Sequence, residues 1–221
     1  STQINNIIGI PLNKIKVIPL GVNQKAKLKE KQRINYNFLI LGRHANHKNI
    51  EAAIEALSLL KENKKIDINI RKKVKLIIIG PQKKGYTLNL IRLSLKLKID
   101  KDCEWINWIE DDEKEKYLKE SFSLLIPSYW EGFGLTALEA MSFGTPIIAS
   151  NRGALPEVIA DCGIYIDPNK VWDISNAMAL IISDISLYKN LSYKGKKRAE
   201  MYTWEKTVYL LQKTIEKHIN Y

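Results

Sequence analysis

Short, unbroken runs of Ile, Val and Leu recur along this chain, each separated from the next by a stretch long enough for a helix. Lys16–Pro19, Phe38–Leu41, Val74–Ile79, Ser123–Pro127, Pro146–Ala149 and Gly163–Ile166 are strand-sized. Most lack the polar alternation of a half-exposed strand. Strands apolar at consecutive positions need cover on both faces, the condition met in a parallel sheet. Between them, Asn49–Lys61 places Ile50, Ala53, Ile54, Leu57 and Leu60 on one helical stripe. Leu88–Lys98, Asp112–Glu120 and Leu135–Phe143 read as further helices. This alternation predicts an α/β domain built on a doubly wound parallel sheet.

Two stretches depart from the pattern. Lys61–Lys75 is Lys-rich, with a weak Ile66/Ile68/Ile70 alternation, and reads as a solvated loop or hairpin; membrane or nucleic-acid contact is its functional alternative. Beyond about residue 170, Val171–Leu187, Leu191–Met201 and Trp204–Ile219 read as successive helices without intervening strands. The expected organisation is one domain over 1–221, with strands and helices to about 170 and a helical tail over 171–221.

With 221 residues the chain can bury one sizeable α/β core. Its 45% hydrophobic and 27% charged content argues against disorder. No apolar run approaches the roughly 18–20 residues of a membrane span. Ser1-Thr2-Gln3-Ile4 shows no signal-peptide pattern, and Cys103 and Cys162 form no CxxC pair, so a cytoplasmic setting is expected. The net charge of +11 favours anionic partners, among them nucleoside diphosphates, lipid headgroups and nucleic acid. The lysines are scattered, however, and serve equally as a solvated surface. Without aromatic–basic interleaving or a named motif, nucleic acid is not expected as a partner.

Chemistry concentrates in Pro127–Pro146, PSYWEGFGLTALEAMSFGTP. A buried strand ends here, a turn containing Gly132 and Gly134 follows, and a helix begins near Leu135. Such a turn sits at the carboxyl edge of a parallel sheet, where ligands bind. Glycine lets backbone approach a ligand closely, and the helix start offers unpaired N–H groups that suit a diphosphate. Glu131 before the turn and Glu139 one helical turn into the helix are placed to accept hydrogen bonds from sugar hydroxyls. A solvated helix residue is the plainer alternative for Glu139. A second strand-to-helix loop, Gly42-Arg43-His-Ala-Asn-His-Lys48, carries two cations suited to phosphate oxygens, or simply two surface charges. His44 and His47 lack further metal-ligating partners nearby and read as loop residues.

With these residues in place, the chain resembles the C-terminal domain of the GT-B family of retaining glycosyltransferases (glycosyl transferases group 1). The family's Glu-x7-Glu motif is matched by Glu131 and Glu139 within EGFGLTALEAM. Also similar are VIPLGVN (Val17–Asn23), GRHANHKN (Gly42–Asn49), GTPIIAS (Gly144–Ser150), Arg152–Val158, DCGIYIDP (Asp161–Pro168) and the Tyr202–Thr207 stretch. The resemblance implies a Rossmann-like half of a GT-B architecture. In it Arg43 and Lys48 hold the donor diphosphate, and Gly42 and the Gly132-Phe133-Gly134-Leu135 backbone cradle phosphate and sugar. Glu131 binds sugar hydroxyls, Glu139 binds ribose, and Ile109, at the end of the Trp105–Ile109 segment, touches the base. Arg43, Lys48 and Glu131 are the implied catalytic set.

The implied reaction moves a mannose- or glucose-type sugar from a nucleoside diphosphate (GDP-mannose or UDP-glucose) to an acceptor hydroxyl, with retention and with neither metal nor cofactor. An N-terminal acceptor domain is expected to be absent from this chain. Alone, the chain is then expected to bind donor weakly and to catalyse little. The acceptor (glycan, lipid or small molecule) and any peripheral contact with the cytoplasmic face of a membrane would involve that missing half. Two alternatives stay open: a non-catalytic nucleotide-sugar-binding module and a sugar-nucleotide epimerase of the same architecture. A dinucleotide-binding reading of Gly132-Phe-Gly134-Leu-Thr-Ala137 fits poorly, because these glycines lie in a late βα unit with no acidic residue about 20 positions on.

Overall fold

The computed structural model describes residues 9–23 and 35–219. After a short leading segment, β1 (Tyr36–Leu41) is followed by α1 (Ile50–Glu62), α2 (Ile68–Lys73), β2 (Val74–Ile79) and α3 (Lys84–Lys96). Next come β3 (Cys103–Ile106), α4 (Asp111–Glu120), β4 (Ser123–Ile126), α5 (Leu135–Ser142), β5 (Ile147–Ser150), α6 (Leu155–Ile159) and β6 (Gly163–Ile166). The tail comprises α7 (Val171–Ser183), α8 (Ile185–Ala199) and α9 (Trp204–Ile219). No described helix is long and apolar enough to cross a membrane.

The strands form one sheet in the order β3-β2-β1-β4-β5-β6, with every neighbouring pair parallel. Period-2 geometry divides their side chains between two cores. Phe38, Ile40, Leu76 and Ile78 face a layer containing Leu57 of α1, Leu90 of α3 and Met178 of α7. Leu39, Ile77 and Ile79 face the opposite layer with Leu118 of α4, Leu138 of α5 and Val158 of α6. Both faces are therefore covered, which is why the strands read as unbroken apolar runs.

Register differs along the sheet. β1 and β2 pair from Tyr36↔Val74 through Leu41↔Ile79, whereas β1 and β4 pair at Phe38↔Ser123 and Leu39↔Leu124. Strand order reverses at this β1/β4 boundary. The loops leaving β1 and β4 diverge to opposite faces and open a crevice between them, the usual ligand position in such a sheet.

Three expectations need correction. Lys16–Pro19 forms no strand. Pro19 O instead accepts from Thr207 Oγ1 (2.8 Å), and Val22 N donates to Tyr202 O (3.0 Å), so the segment lies along the start of α9. Gly21 presses so closely on this helix that a Cβ there would fall 2.2 Å from Trp204 N. The Lys61–Lys75 stretch is not loop or hairpin throughout, because Asp67 caps α2 by accepting from Asn69 N (2.7 Å). In the tail, the helix expected to run to Leu187 stops at Ser183, since Asp184 breaks it and caps α8 by accepting from Leu187 N (2.8 Å).

Candidate active site at the β1/β4 crevice

Two loops build the crevice. The first leaves β1 at Gly42 and ends at Asn49, which adopts a left-handed backbone (φ 53°) that asparagine tolerates better than most residues. Its side chain donates to Pro127 O (3.2 Å) and Pro168 O (2.7 Å), tying the loop to the ends of β4 and β6. The second loop runs from Pro127 to Gly134, whose positive φ of 90° turns the chain into α5. Tyr129 N donates to His47 O (2.8 Å), and the His47 and Trp130 rings stack with centroids 4.9 Å apart.

The side chains of the two loops meet where Lys48 Nζ lies 2.7 Å from Glu131 Oε1. Ser128 Oγ donates to the same oxygen (2.7 Å). From behind, the β5–α6 turn holds Glu131: Ala154 N donates to its carbonyl, and a Cβ on Gly153 would come within 2.8 Å of that oxygen. The pair is about four-fifths buried, with side-chain exposures of 19% and 17%. Each charge therefore relies on the other and on its hydrogen bonds rather than on bulk water.

One helical turn into α5, Glu139 Oε1 meets Lys114 Nζ at 3.0 Å, and the same ammonium reaches Asp111 Oδ1 at 3.2 Å. Burial works against the charge on Lys114, but hydrogen bonding and attraction from Glu139 and Asp111 outweigh it and hold the ammonium above the usual lysine range. The second carboxylate, like the first, is thus held by a lysine from a different element.

A cleft of about 460 Å³ opens here, lined by Gly42, Lys48, Ile109, Leu135 and Glu139 among the residues singled out in the sequence. Trp108, 68% exposed, and Thr136 also line it. The first-turn N–H groups of α5, at Leu135 and Thr136, precede the helix's own hydrogen-bond ladder. Arg43 is exposed and does not line the cleft, and neither do Glu131, Gly132, Phe133 and Gly134. Phe133 packs edge-on against Tyr202 (6.4 Å) and belongs to the α5-side core. Sequence reading passed over Lys114, because its meeting with Glu139 is made by the packing of α4 on α5 and has no local signature. No group of three or more His, Cys, Asp or Glu placed to hold a metal occurs among the described residues.

The model of the glycosyl transferases group 1 family matches residues 23–198. The chain belongs to this family. Among its relatives, O-antigen chain mannosyltransferase B of Escherichia coli is 35% identical over 101 residues, 46% of this chain and 26% of that protein. The MMP alpha-(1->4)-mannosyltransferase of Mycolicibacterium hassiacum is 28% identical over 208 residues, 90% of this chain and 48% of that protein. The fold is similar to that of sucrose-phosphate synthase from Thermosynechococcus elongatus, with a TM-score of 0.80 at 21% identity over 93% of this chain and 53% of that one. The chain thus spans about half or less of the length of the two mannosyltransferases.

Proposed function

We propose that the chain is the donor-binding lobe of a retaining glycosyltransferase, which transfers a hexose from a nucleoside diphosphate to an acceptor hydroxyl supplied with a second lobe. The observation that carries this reading is the Lys48–Glu131 bridge across the switch point, set beside the open first turn of α5. Lys48, with three donors, can keep Glu131 and still take a phosphate oxygen. Arg43, unpaired with any described residue, is free to swing onto the same phosphate, and the α5 N–H groups meet the charge that grows on the leaving diphosphate. Glu139, held by Lys114, accepts from ribose hydroxyls, Ile109 borders the base, and Glu131 orients the sugar. The names of the two relatives favour mannose over glucose.

Calorimetric titration with UDP, GDP and ADP, without added metal, tests this reading. Saturable binding of one nucleotide, weakened at least about tenfold in the Arg43→Ala/Lys48→Ala double variant, is the expected outcome, since charge-assisted bonds to phosphate are lost. Absence of binding by the unaltered chain, or equal affinity in the double variant, would remove the claim that this loop holds the diphosphate.

A further inference from the structure

Within the β1–α1 loop, between the two cations, His44 is completely buried. Its backbone N–H donates to Pro81 O (3.0 Å), fastening the loop to the β2–α3 connection. Its Nδ1 lies 3.0 Å from Oγ1 of Thr87, a buried residue in the first turn of α3. Its ring stands edge-on to Trp105 of β3, with centroids 5.9 Å apart. Nε2 is buried without a hydrogen-bond partner. An exposed loop rarely hides a polar ring so completely unless the ring holds something in place.

What it holds follows from how the two ends of the loop are fixed. Asn49 pins one end to Pro127 and Pro168, and His44 pins the other to Thr87 and Pro81. Between them a short arc carries a 3-10 turn over Asn46–Lys48, and Lys48 projects from it to Glu131. Tyr129 N also holds the arc at His47 O, so freeing the His44 ring loosens it on the side away from that bond and from Asn49, and the Lys48 ammonium is held less closely.

We propose that His44 is the positioning residue of the diphosphate loop, its ring keyed to Thr87 so that Lys48 is presented to both Glu131 and the donor phosphate. This rests on the donor-lobe reading above. It also makes the loop sensitive to acid. The pocket suits a neutral imidazole, with Nδ1 on Thr87 and Nε2 without a partner; a second ring proton makes both nitrogens donors and leaves the cation's Nε2–H without an acceptor. Burial accordingly pushes the His44 pKa below 6.5. The charged or titratable residues nearest in sequence to these contacts are Arg43, His47 and Lys48 on its own loop, Glu51 on α1, Lys83, Lys84 and Tyr86 at the start of α3, and Cys103 and Glu104 on β3. The Glu51 carboxylate is already engaged by the Tyr86 hydroxyl. Because the folded value is depressed, the pinned loop's contribution is whole above about pH 6.5. It is lost as the pH falls from there through the lowered value.

The test combines two readouts on the same chain. GDP and UDP affinity is measured from pH 5 to 8, and amide exchange of residues 42–49 is followed without nucleotide. The variants are His44→Asn, which keeps a side-chain acceptor and donor but does not titrate, Thr87→Val and His44→Phe. Thr87→Val and His44→Phe are expected to weaken nucleotide binding about tenfold at pH 7.5 and to raise exchange at 45–48, with circular dichroism unchanged. His44→Asn is expected to recover most of the affinity and to make the fall in binding between pH 6.5 and 5 shallower, leaving the part due to the nucleotide's own terminal phosphate, which titrates at about pH 6. Unchanged affinity and exchange in Thr87→Val and His44→Phe would overturn the proposal, as would an acid limb in His44→Asn as steep as that of the unaltered chain. If the unaltered chain binds no nucleotide, the donor-lobe reading fails. Exchange at 45–48 then decides separately whether His44 holds the loop.

Discussion

At the scale of single residues, the crevice is arranged in lysine–carboxylate pairs, and each pair assigns work to its carboxylate. Glu139 is aimed by Lys114 rather than by its own helix. If it receives ribose hydroxyls, Glu139→Gln weakens GDP or UDP binding about tenfold and has little effect on the 2′,3′-dideoxy nucleotide, because the lost bond is then absent on both sides. Lys114→Met reproduces part of that loss by releasing the carboxylate. Titrating the four protein–ligand combinations checks this, and equal losses for ribose and dideoxyribose nucleotides would move Glu139 out of the sugar site. The two glutamates stood out in the sequence because they flank a glycine turn. Lys114 did not, because 25 residues separate it from Glu139 and only the packed fold brings them together.

At the scale of elements, the glycines of the loops separate into those the chain needs and those a ligand would need. Gly80 follows β2 with φ 152°, and a Cβ there would lie 2.0 Å from Gly42 O, in the backbone of the β1–α1 loop. Gly80→Ala is therefore expected to cost at least about 2 kcal/mol and to displace the neighbouring loop, a change read by chemical denaturation. Gly132 has nothing within 4 Å of a Cβ position, so Gly132→Ala should leave stability within about 0.5 kcal/mol of the unaltered chain. A fall in nucleotide affinity in that variant marks the position as one of close ligand approach; unchanged affinity removes it from the site. The βα alternation was legible because strands covered on both faces announce themselves as apolar runs. The α2 helix was not: its Ile66/Ile68/Ile70 spacing imitates a strand, and the cap at Asp67 decides otherwise. Lys16–Pro19 misled in the opposite direction, being apolar enough for a strand yet held against α9.

At the scale of the whole molecule, the chain carries a net charge of +11 and a crevice proposed to take an anion. Association with a nucleoside diphosphate should therefore slow as salt rises from 0.02 to 0.5 M, while a neutral nucleoside is little affected. Stopped-flow measurement of both separates a general field from the local cations, and identical salt dependence would discount the field. The strand order that creates the crevice could not be read from the sequence, since it depends on which distant strands pair. It has a mechanical consequence. β1 and β4 share the briefest register in the sheet, and around their boundary the Lys48–Glu131 bridge, the Asn49–Pro127 bond and the His47–Tyr129 bond act as stitches. The crevice is therefore also a suture: beside the short β1–β4 ladder, the two half-sheets are joined by a lysine and a carboxylate that are the same groups proposed to meet a ligand, so filling the crevice would draw on one of its own stitches.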